Sequence, residues 1–492
     1  MSFVISVAMN LKELTIKKAH ELLAKREITS VELTEACFKN IKENDGEIRA
    51  FLSVTEEEAM AAAKSVDEKI AKGEPQEMLS GIPVAVKDNI TIKGGKTTAA
   101  SKILENYKAP YDATVIKKLK EEEAVIVGKT NLDEFAMGSS TENSGFGPTK
   151  NPVDLARVPG GSSGGSAAAV KAGFCLYALG SDTGGSIRQP ASFCGVVGFK
   201  PTYGAVSRHG LLAMSSSLDQ IGPITKNVED AAIVFEAIRG KDELDSTSVR
   251  REWPDFSKPL DLEKITIGVP REYFTHGLAP EIEKNIKSVI AKLQKEGAQI
   301  KEISLPHSDW ALATYYIIMP AEVSANLARY DGIKYGYSTI SHKPSAMSRL
   351  LDVYLKTRGE GFGAEVRRRI ILGTYILSAG YYDAYYARAQ KVRRLIKKDF
   401  DFAFENVDVI LTPTTPSTAF KFGEKTADPL SMYLADIYTV SVNLAGVPAI
   451  SIPSGEINGL PVGLQLIGKS FDDIKLLQIA KITENLIKGN NA

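Results

Sequence analysis

The sequence predicts an α/β fold, and three observations support that prediction. Short apolar runs rich in β-branched residues are typical of buried strands, and they occupy 81–90 (GIPVAVKDNI), 203–210 (YGAVSRHG), 264–270 (KITIGVP) and 407–411 (VDVIL). Helical periodicity lies before and between these runs, as in 113–131, where a helix followed by a strand is expected. The 492 residues contain no repeat of fixed period and no Pro-rich or charged linker, which favours one compact domain.

The first part of the chain is expected to be helical. Apolar residues recur at steps of three and four over 14–28, 30–44 and 55–73. Ser30 precedes two closely following glutamates, a pattern that predicts a capped start for the second helix. Gly73 predicts the end of the third helix, because glycine readily adopts the left-handed conformation found there.

Composition excludes several classes of function. Basic and acidic residues balance, 60 against 60, so any link to nucleic acid is expected to run through a partner. Cys37, Cys175 and Cys194 are odd in number and widely spaced, which predicts reduced thiols and a cytoplasmic protein. No secretory signal and no long uncharged apolar run is visible, so no membrane helix is expected. The absence of CxxC and HExxH patterns predicts that no metal is bound.

Small residues are densest over 158–192, in PGGSSGGSAAAVKAG and LGSDTGGSIRQPAS. A flexible linker is one interpretation, but apolar residues and a helix-forming stretch over 166–179 interrupt it. A phosphate-binding loop is another, but neither a GK[ST] ending nor a GxGxxG pattern is present. In 180–188 the glycines before Ser186 let successive backbone N–H groups converge on one point, as an oxyanion hole requires.

A serine nucleophile in this region needs a base. Of the five histidines only His209 lies near it in sequence, and a lone loop histidine is more often structural or solvated. Lysine can act as a base when burial holds it neutral. Lys87 follows the apolar run and so lies at a strand end, where α/β sheets place catalytic groups. An ordinary surface or ion-paired lysine is the alternative.

Lys87, the 160–166 segment GGSSGGS and the 180–192 segment GSDTGGSIRQPAS together resemble the amidase signature family. The three elements occur in order, with Ser162 lying 75 residues after Lys87 and Ser186 lying 24 residues after Ser162. The resemblance implies one α/β domain with a mixed twisted sheet flanked by helices. It implies that Ser186 is the nucleophile, that Ser162 relays its proton through a cis peptide linkage to Ser163, and that Lys87 is the terminal base.

The neighbouring residues are expected to have supporting roles. The backbone of Thr183, Gly184, Gly185 and Ser186 could line the oxyanion hole, with Gly184 and Gly185 as the expected donors. Asp182 and Arg188 are expected to support the loop, and Cys194 is expected to be a packing thiol. The expected layout of the single domain is a helical segment over 1–75, a signature core with the triad over 76–240, and the remaining core with the substrate pocket over 241–492.

Three further segments, 131–152, 360–393 and 443–453, resemble the glutamine-hydrolysing subunits of tRNA-dependent amidotransferases within that family. The likeness runs from about Leu11 to the C-terminus and is weakest over 1–10 and 338–356. It implies that glutamine yields ammonia for the amination of glutamyl or aspartyl groups on misacylated tRNA. It also implies two partners, the B and C subunits of a heterotrimer, with ATP and magnesium acting in the B subunit and no cofactor in this chain.

Free glutamine carries opposite charges, and the pocket is expected to match them. Arg369 is the candidate for the α-carboxylate, with Arg368 as the alternative, since a planar guanidinium can pair a carboxylate bidentately. Asp436 is the candidate for the α-ammonium, and Tyr315 for closing the pocket. Each of these residues can instead be a solvated helix charge or a core aromatic. The basic segment 391–398 either touches tRNA or a partner, or forms a solvated helix face.

Three rival hypotheses remain open from the sequence. The first is an independent amidase acting on a small amide other than glutamine, which needs no pair of opposite charges. The second is an inactive scaffold of the tRNA complex, which the intact triad argues against. The third is a cysteine-dependent glutaminase, which requires a Cys–His pair that no motif supplies.

Overall fold

The computed structural model describes residues 10–274, 277–342 and 350–489. His276, the first nine residues, the last three and the 343–349 part of the weakly matching 338–356 stretch lie outside the described residues. The predicted α/β class is confirmed, because the described residues form one mixed sheet of eleven strands flanked by helices. No helix within the described ranges is long and apolar enough to cross a membrane.

The strands follow the chain as β1 (Phe51–Val54), β2 (Pro83–Lys87), β3 (Val125–Thr130), β4 (Tyr177–Asp182), β5 (Val197–Lys200), β6 (Gln220–Thr225), β7 (Thr266–Pro270), β8 (Gln299–Ile303), β9 (Val409–Pro413), β10 (Ala449–Ile457) and β11 (Leu460–Gly468). Their order across the sheet is β1-β3-β2-β4-β6-β5-β10-β11-β9-β7-β8. Strands β3, β2 and β4 are parallel neighbours, as are β9, β7 and β8, while the remaining pairs are antiparallel. The sheet is therefore mixed, with a parallel group on each side.

The helices are α1 (Ile16–Ala24), α2 (Ser30–Ile48), α3 (Glu56–Lys72), α4 (Thr114–Glu121), α5 (Gly164–Ala172), α6 (Arg188–Cys194), α7 (Val228–Ile238), α8 (Pro280–Lys295), α9 (Ala311–Asn326), α10 (Leu350–Gly361), α11 (Ala364–Ile376), α12 (Arg388–Ala403), α13 (Pro429–Tyr433), α14 (Val440–Ala445) and α15 (Asp473–Lys488). The three helices expected at the N-terminus are present, and Gly73 ends the third with a φ of 78°. The expected cap of α2 is displaced by one residue. Thr29, not Ser30, accepts from the Glu32 N–H, and the Glu32 carboxylate accepts from the Thr29 N–H in return.

Two expectations about local structure were wrong. The 203–210 run is a turn region with a single isolated bridge at Val206, because its backbone bonds to loops instead of a neighbouring strand. The helix-forming stretch 166–179 is helical only as far as Ala172, after which the chain turns and enters β4. Pairing of β4 with β2 and β6 overrides local helix propensity there, since every residue of the strand is buried in the sheet.

Two buried strands at the centre of the sheet position the candidate catalytic residues. All residues of β2 and β4 are buried, and the two strands run parallel with Val86 opposite Leu179. Their carboxyl ends therefore lie side by side, which brings Lys87 next to the loop that follows β4. This edge of a parallel pair is where open α/β sheets place their ligand sites.

Candidate active site

Lys87 is completely buried and is surrounded by serine oxygens. Its Nζ lies 2.7 Å from Ser162 Oγ, 2.8 Å from Ser163 Oγ and 2.9 Å from Ser181 Oγ. Burial lowers the pKa of Lys87 to about 7, although Asp133 and two further buried carboxylates oppose the shift. A substantial neutral fraction is therefore present near pH 7, and its lone pair can take a proton from a hydroxyl 2.7 Å away.

The loop before α5 holds Ser162 and contains a cis peptide bond, as the resemblance implied, but at a different position. The bond joins Gly161 to Ser162, so the expected linkage between Ser162 and Ser163 was wrong. Gly161 occupies this position because a Cβ there would overlap the Asp133 carboxylate. The Gly161 N–H donates to Gln189 Oε1 over 2.8 Å, which fixes the loop against α6.

Ser186 lies in the turn between β4 and α6, close to the Ser162 loop. Its carbonyl accepts from the Ser163 N–H over 3.1 Å, so the two loops are tied through their backbones. Ser186 is 9% exposed, whereas Ser162 is fully buried. Within the described residues no hydrogen bond joins the Ser162 and Ser186 hydroxyls. Of the two steps of the expected relay, the structure therefore contains the Lys87–Ser162 hydrogen bond but not one between Ser162 and Ser186.

The turn after β4 presents unpaired backbone N–H groups. In the described part of the chain, the N–H groups of Thr183, Gly184 and Ser186 have no acceptor. The Gly185 N–H is different, because it donates to Asp182 Oδ1 over 2.9 Å. The expectation that Gly185 is an oxyanion donor is therefore corrected, and the free donors lie on either side of it.

Asp182 and Arg188 support this turn, as expected. Asp182 accepts from the Ile187 N–H at 3.1 Å and from the Arg188 guanidinium at 3.0 Å through each of two nitrogens. Both side chains are fully buried, and Arg188 also donates to Gln465 and Asn443 at 2.7 and 2.6 Å. Burial alone would raise the pKa of Asp182, but the Arg188 charge outweighs it and holds that pKa well below its usual range.

Several residues around Lys87 were missed by the sequence analysis. Ser163 and Ser181 complete the serine cage, and Asn89 Nδ2 donates to Ser181 Oγ over 2.9 Å. Asp133 accepts from the Thr141 and Asn143 N–H groups at 2.9 and 3.1 Å and thereby closes the loop that packs on Gly161. The doubled serine of GGSSGGS was the one sequence signal for Ser163.

The predicted substrate residues lie on elements that meet the nucleophile loop. A Cβ at Gly184 would come 2.7 Å from the Tyr315 ring, so this tyrosine covers the loop directly. Thr439 Oγ1 donates to the carbonyls of Gly184 and Asp436 at 2.6 and 3.0 Å, which joins Asp436 to the same loop. Burial raises the pKa of Asp436 to about 7, and its carboxylate accepts from the Ser139 hydroxyl.

Arg369, and not Arg368, faces inward from α11. The Arg369 side chain is 4% exposed, whereas that of Arg368 is 50% exposed, and both bond to Glu365. The wall of a cavity of about 190 Å³ includes Arg369 and Tyr433 and also Arg368, Glu365 and Lys425. Burial raises the pKa values of Tyr315 and Asp436 and the Arg369 charge lowers them, so the guanidinium lies near both, and Tyr315 in turn covers the nucleophile loop at Gly184.

The rival sites find less support in the structure. Burial raises the pKa of Cys175 and of Cys194 to about 12, so neither thiol ionises near pH 7. In the described ranges neither cysteine bonds to a histidine, and no group of three potential ligands is arranged to hold a metal. In the basic segment 391–398, Arg393 is partly buried and donates to the Leu444 and Ser217 carbonyls, so it supports the fold.

Comparisons with known proteins agree with this geometry. A family model described as Amidase matches residues 32–477. The A subunit of the glutamyl-tRNA(Gln) amidotransferase of Carboxydothermus hydrogenoformans is 57% identical over 478 residues, covering 97% of this chain and 98% of that protein.

Two solved structures extend the comparison. The crystal structure of the glutamyl-tRNA(Gln) amidotransferase A subunit from Thermotoga maritima is 46% identical, covers 96% of this chain and 95% of that one, and has a TM-score of 0.79. A peptide amidase from Stenotrophomonas maltophilia is 28% identical over 97% of each chain, also with a TM-score of 0.79. With the serine-caged lysine and the family match over most of its length, this chain belongs to the amidase signature family.

Proposed function

We propose that this chain is the glutamine-hydrolysing subunit of a tRNA-dependent amidotransferase and that it releases ammonia for the amination of glutamyl-tRNA(Gln). The observation that carries the proposal is the buried Lys87 amine, 2.7 Å from Ser162 and beside the Ser186 turn, in a chain whose relatives are A subunits of that enzyme. The pair of opposite charges, Arg369 and Asp436, selects an amide that is also a free amino acid.

The reaction begins with proton transfer away from Ser186. The Ser186 hydroxyl gives its proton to Ser162 as its oxygen attacks the amide carbon of glutamine, and Ser162 passes its own proton to the neutral Lys87 amine. The tetrahedral intermediate then breaks its C–N bond, and the proton returns through Ser162 to the leaving nitrogen. Ammonia departs and a glutamyl ester remains on Ser186. Water, deprotonated by the same relay, cleaves the ester to give glutamate.

The turn after β4 stabilises the negative charge that develops on the amide oxygen. The free N–H groups of Thr183, Gly184 and Ser186 are the donors available for this oxygen. They are held in place before the reaction by the Asp182–Arg188 pair, so little reorganisation accompanies charge development. Loss of one such donor typically costs about 100- to 1,000-fold in rate.

Glutamine binds with its two α substituents at the opposite charges. The α-carboxylate pairs with the Arg369 guanidinium, and the α-ammonium pairs with Asp436, while Tyr315 closes the pocket over Gly184. Asp436 must be ionised for this contact. A neutral aliphatic amide makes neither contact, so it is expected to be a poor substrate.

The chain acts in the cytoplasm as part of a heterotrimer, with a B subunit that binds ATP, magnesium and tRNA and with a small C subunit. The names of the relatives support an assembly of several subunits. The balanced charge of the chain supports a division of labour in which a partner holds the tRNA. The three buried free thiols support a reducing compartment.

Kinetics on the assembled enzyme test the proposal. Ser186→Ala is expected to lower glutamine-dependent amidation of tRNA at least about 1,000-fold, because the nucleophile is removed. Added ammonia is expected to restore amidation, since the chemistry at the tRNA remains intact in the partner. Unchanged glutamine-dependent activity would identify the chain as a scaffold. A higher kcat/KM for acetamide than for glutamine would identify an independent amidase.

A further inference from the structure

The carboxylate of Glu365 lies between two arginines on the first turns of α11. It accepts from Arg369 Nε over 2.8 Å, from Tyr433 Oη over 3.1 Å and from Arg368. Its side chain is 10% exposed, and Tyr433 lies on a separate segment that precedes Asp436. Three donors from two elements therefore fix one carboxylate in the wall of the cavity that Arg369 also lines.

The Arg369 guanidinium also lies beside a pair of stacked aromatic rings. Its carbon lies 5.5 Å from the Tyr316 ring centroid and 5.6 Å from that of Tyr433, and the two rings are themselves stacked at 3.9 Å. Nη1 donates to Met319 Sδ over 3.6 Å. Of the five N–H groups of Arg369, Nε and one of Nη1 are thus committed, and Nη2 has no partner among the described residues.

We infer that Glu365 is a positioning residue for glutamine selection, which turns the free end of the Arg369 guanidinium toward the α-carboxylate. Once Nε is bound to Glu365, the planar group is fixed about its long axis, and Nη2 together with the second N–H of Nη1 is left for a ligand. The inference rests on the proposed role of Arg369. It goes further because it assigns the orientation of that arginine to a residue that does not itself touch the substrate.

The charge of Glu365 and its hydrogen bond to Arg369 have opposite effects on the binding of the α-carboxylate, so two substitutions can separate them. The negative charge of Glu365 weakens the attraction of Arg369 for a second carboxylate, while its hydrogen bond orients the guanidinium. Glu365→Gln keeps an oxygen acceptor of the same shape without the charge. Glu365→Ala removes the acceptor. If position dominates, alanine is harmful and glutamine restores most of the loss.

The test compares glutamine with 4-aminobutanamide, the same amide with its ammonium but without the α-carboxylate. Glu365→Ala is expected to raise the glutamine KM by roughly 10- to 100-fold with little change in kcat, because the guanidinium loses its orientation. The KM for 4-aminobutanamide should stay within about threefold, as should both values for Glu365→Gln. Arg367→Ala is the matched control, since this exposed neighbour on α11 donates to the Gly359 carbonyl over 3.0 Å and not to Glu365, and no change is expected.

Arg369→Ala, tested with the same two amides, separates the proposed contact of Arg369 with the substrate from the positioning role of Glu365. If that variant does not raise the glutamine KM selectively, the proposed contact with the α-carboxylate is wrong. If it does and Glu365→Ala does not, the positioning role alone is wrong. An equal rise in KM for both amides in Glu365→Ala would also overturn it, because a general structural defect does not discriminate between them. Circular dichroism establishes that each variant is folded.

Discussion

Replacing Lys87 by methionine is expected to abolish turnover and at the same time to stabilise the folded chain. The Lys87 side chain is fully buried, and methionine is a flexible apolar residue of similar length. The variant has no base to accept the relayed proton, so glutamine hydrolysis should fall at least about 1,000-fold. Stability should rise because a buried lysine amine is costly, whether it stays charged or loses its proton on folding.

The size of the effect follows from the pKa of Lys87 and from its contacts. The pKa of Lys87 falls from 10.5 to about 7 on folding. Each unit of this fall corresponds to about 1.4 kcal/mol, so burial of the charged amine destabilises the folded chain by about 5 kcal/mol at low pH. Methionine forfeits the contacts with Ser162, Ser163 and Ser181, together about 2 to 4 kcal/mol. The variant should therefore be more stable by about 1 to 3 kcal/mol at pH 6.5.

The pH dependence provides the sharper assay. Between pH 7 and 10.5 the unfolded chain binds the Lys87 proton and the folded chain does not, so the wild type gains stability as the pH rises. The variant lacks this group. Its advantage in urea unfolding should therefore shrink by about 3 kcal/mol between pH 6.5 and 9.5. A difference that does not change with pH would refute the neutral, buried amine on which the mechanism depends.

Three further predictions concern the pocket and the helix that carries Arg369. Asp436→Asn should raise the glutamine KM about 10- to 100-fold and leave butyramide unaffected, because a charge-assisted bond to the ammonium is lost. In the wild type, the ratio of kcat/KM for glutamine to that for butyramide should fall below pH 7 as Asp436 protonates, and a constant ratio would contradict its role. Gly184→Ala should lower kcat about 100-fold, since its Cβ would lie 2.7 Å from the Tyr315 ring, and an active variant would show that this loop has room to move. Gly373→Ala should lower the free energy of unfolding by about 1 to 3 kcal/mol, measured as a lower urea midpoint, because its Cβ would overlap the Pro320 carbonyl of α9, and an unchanged midpoint would mean that α11 can shift.

Local patterns predicted much of the fold and part of the site. The strand ending at Lys87 and the first three helices were predictable because their apolar periodicity is strong and continuous. The 203–210 run and the stretch after Ala172 were misassigned, because local propensity cannot report which strands are available for pairing.

The sequence by itself indicated the chemistry that we propose for this protein. Lys87 and the two glycine-rich segments contain the proposed base, relay serine and nucleophile, and each of them stands in a short stretch of consecutive residues. Residue types in short consecutive segments can be recognised in the sequence without knowledge of the fold.

The tertiary structure decided how those groups are held and which neighbours tune them. It brought Ser181 to Lys87 across 94 positions of sequence and Tyr433 to Glu365 across 68. It also showed that Asp182 accepts a hydrogen bond from the Gly185 N–H. It also buried Arg369 and left Arg368 half exposed, because one face of α11 packs against the core. Contacts of this kind depend on which surfaces pack together, and packing is a property of the whole folded chain.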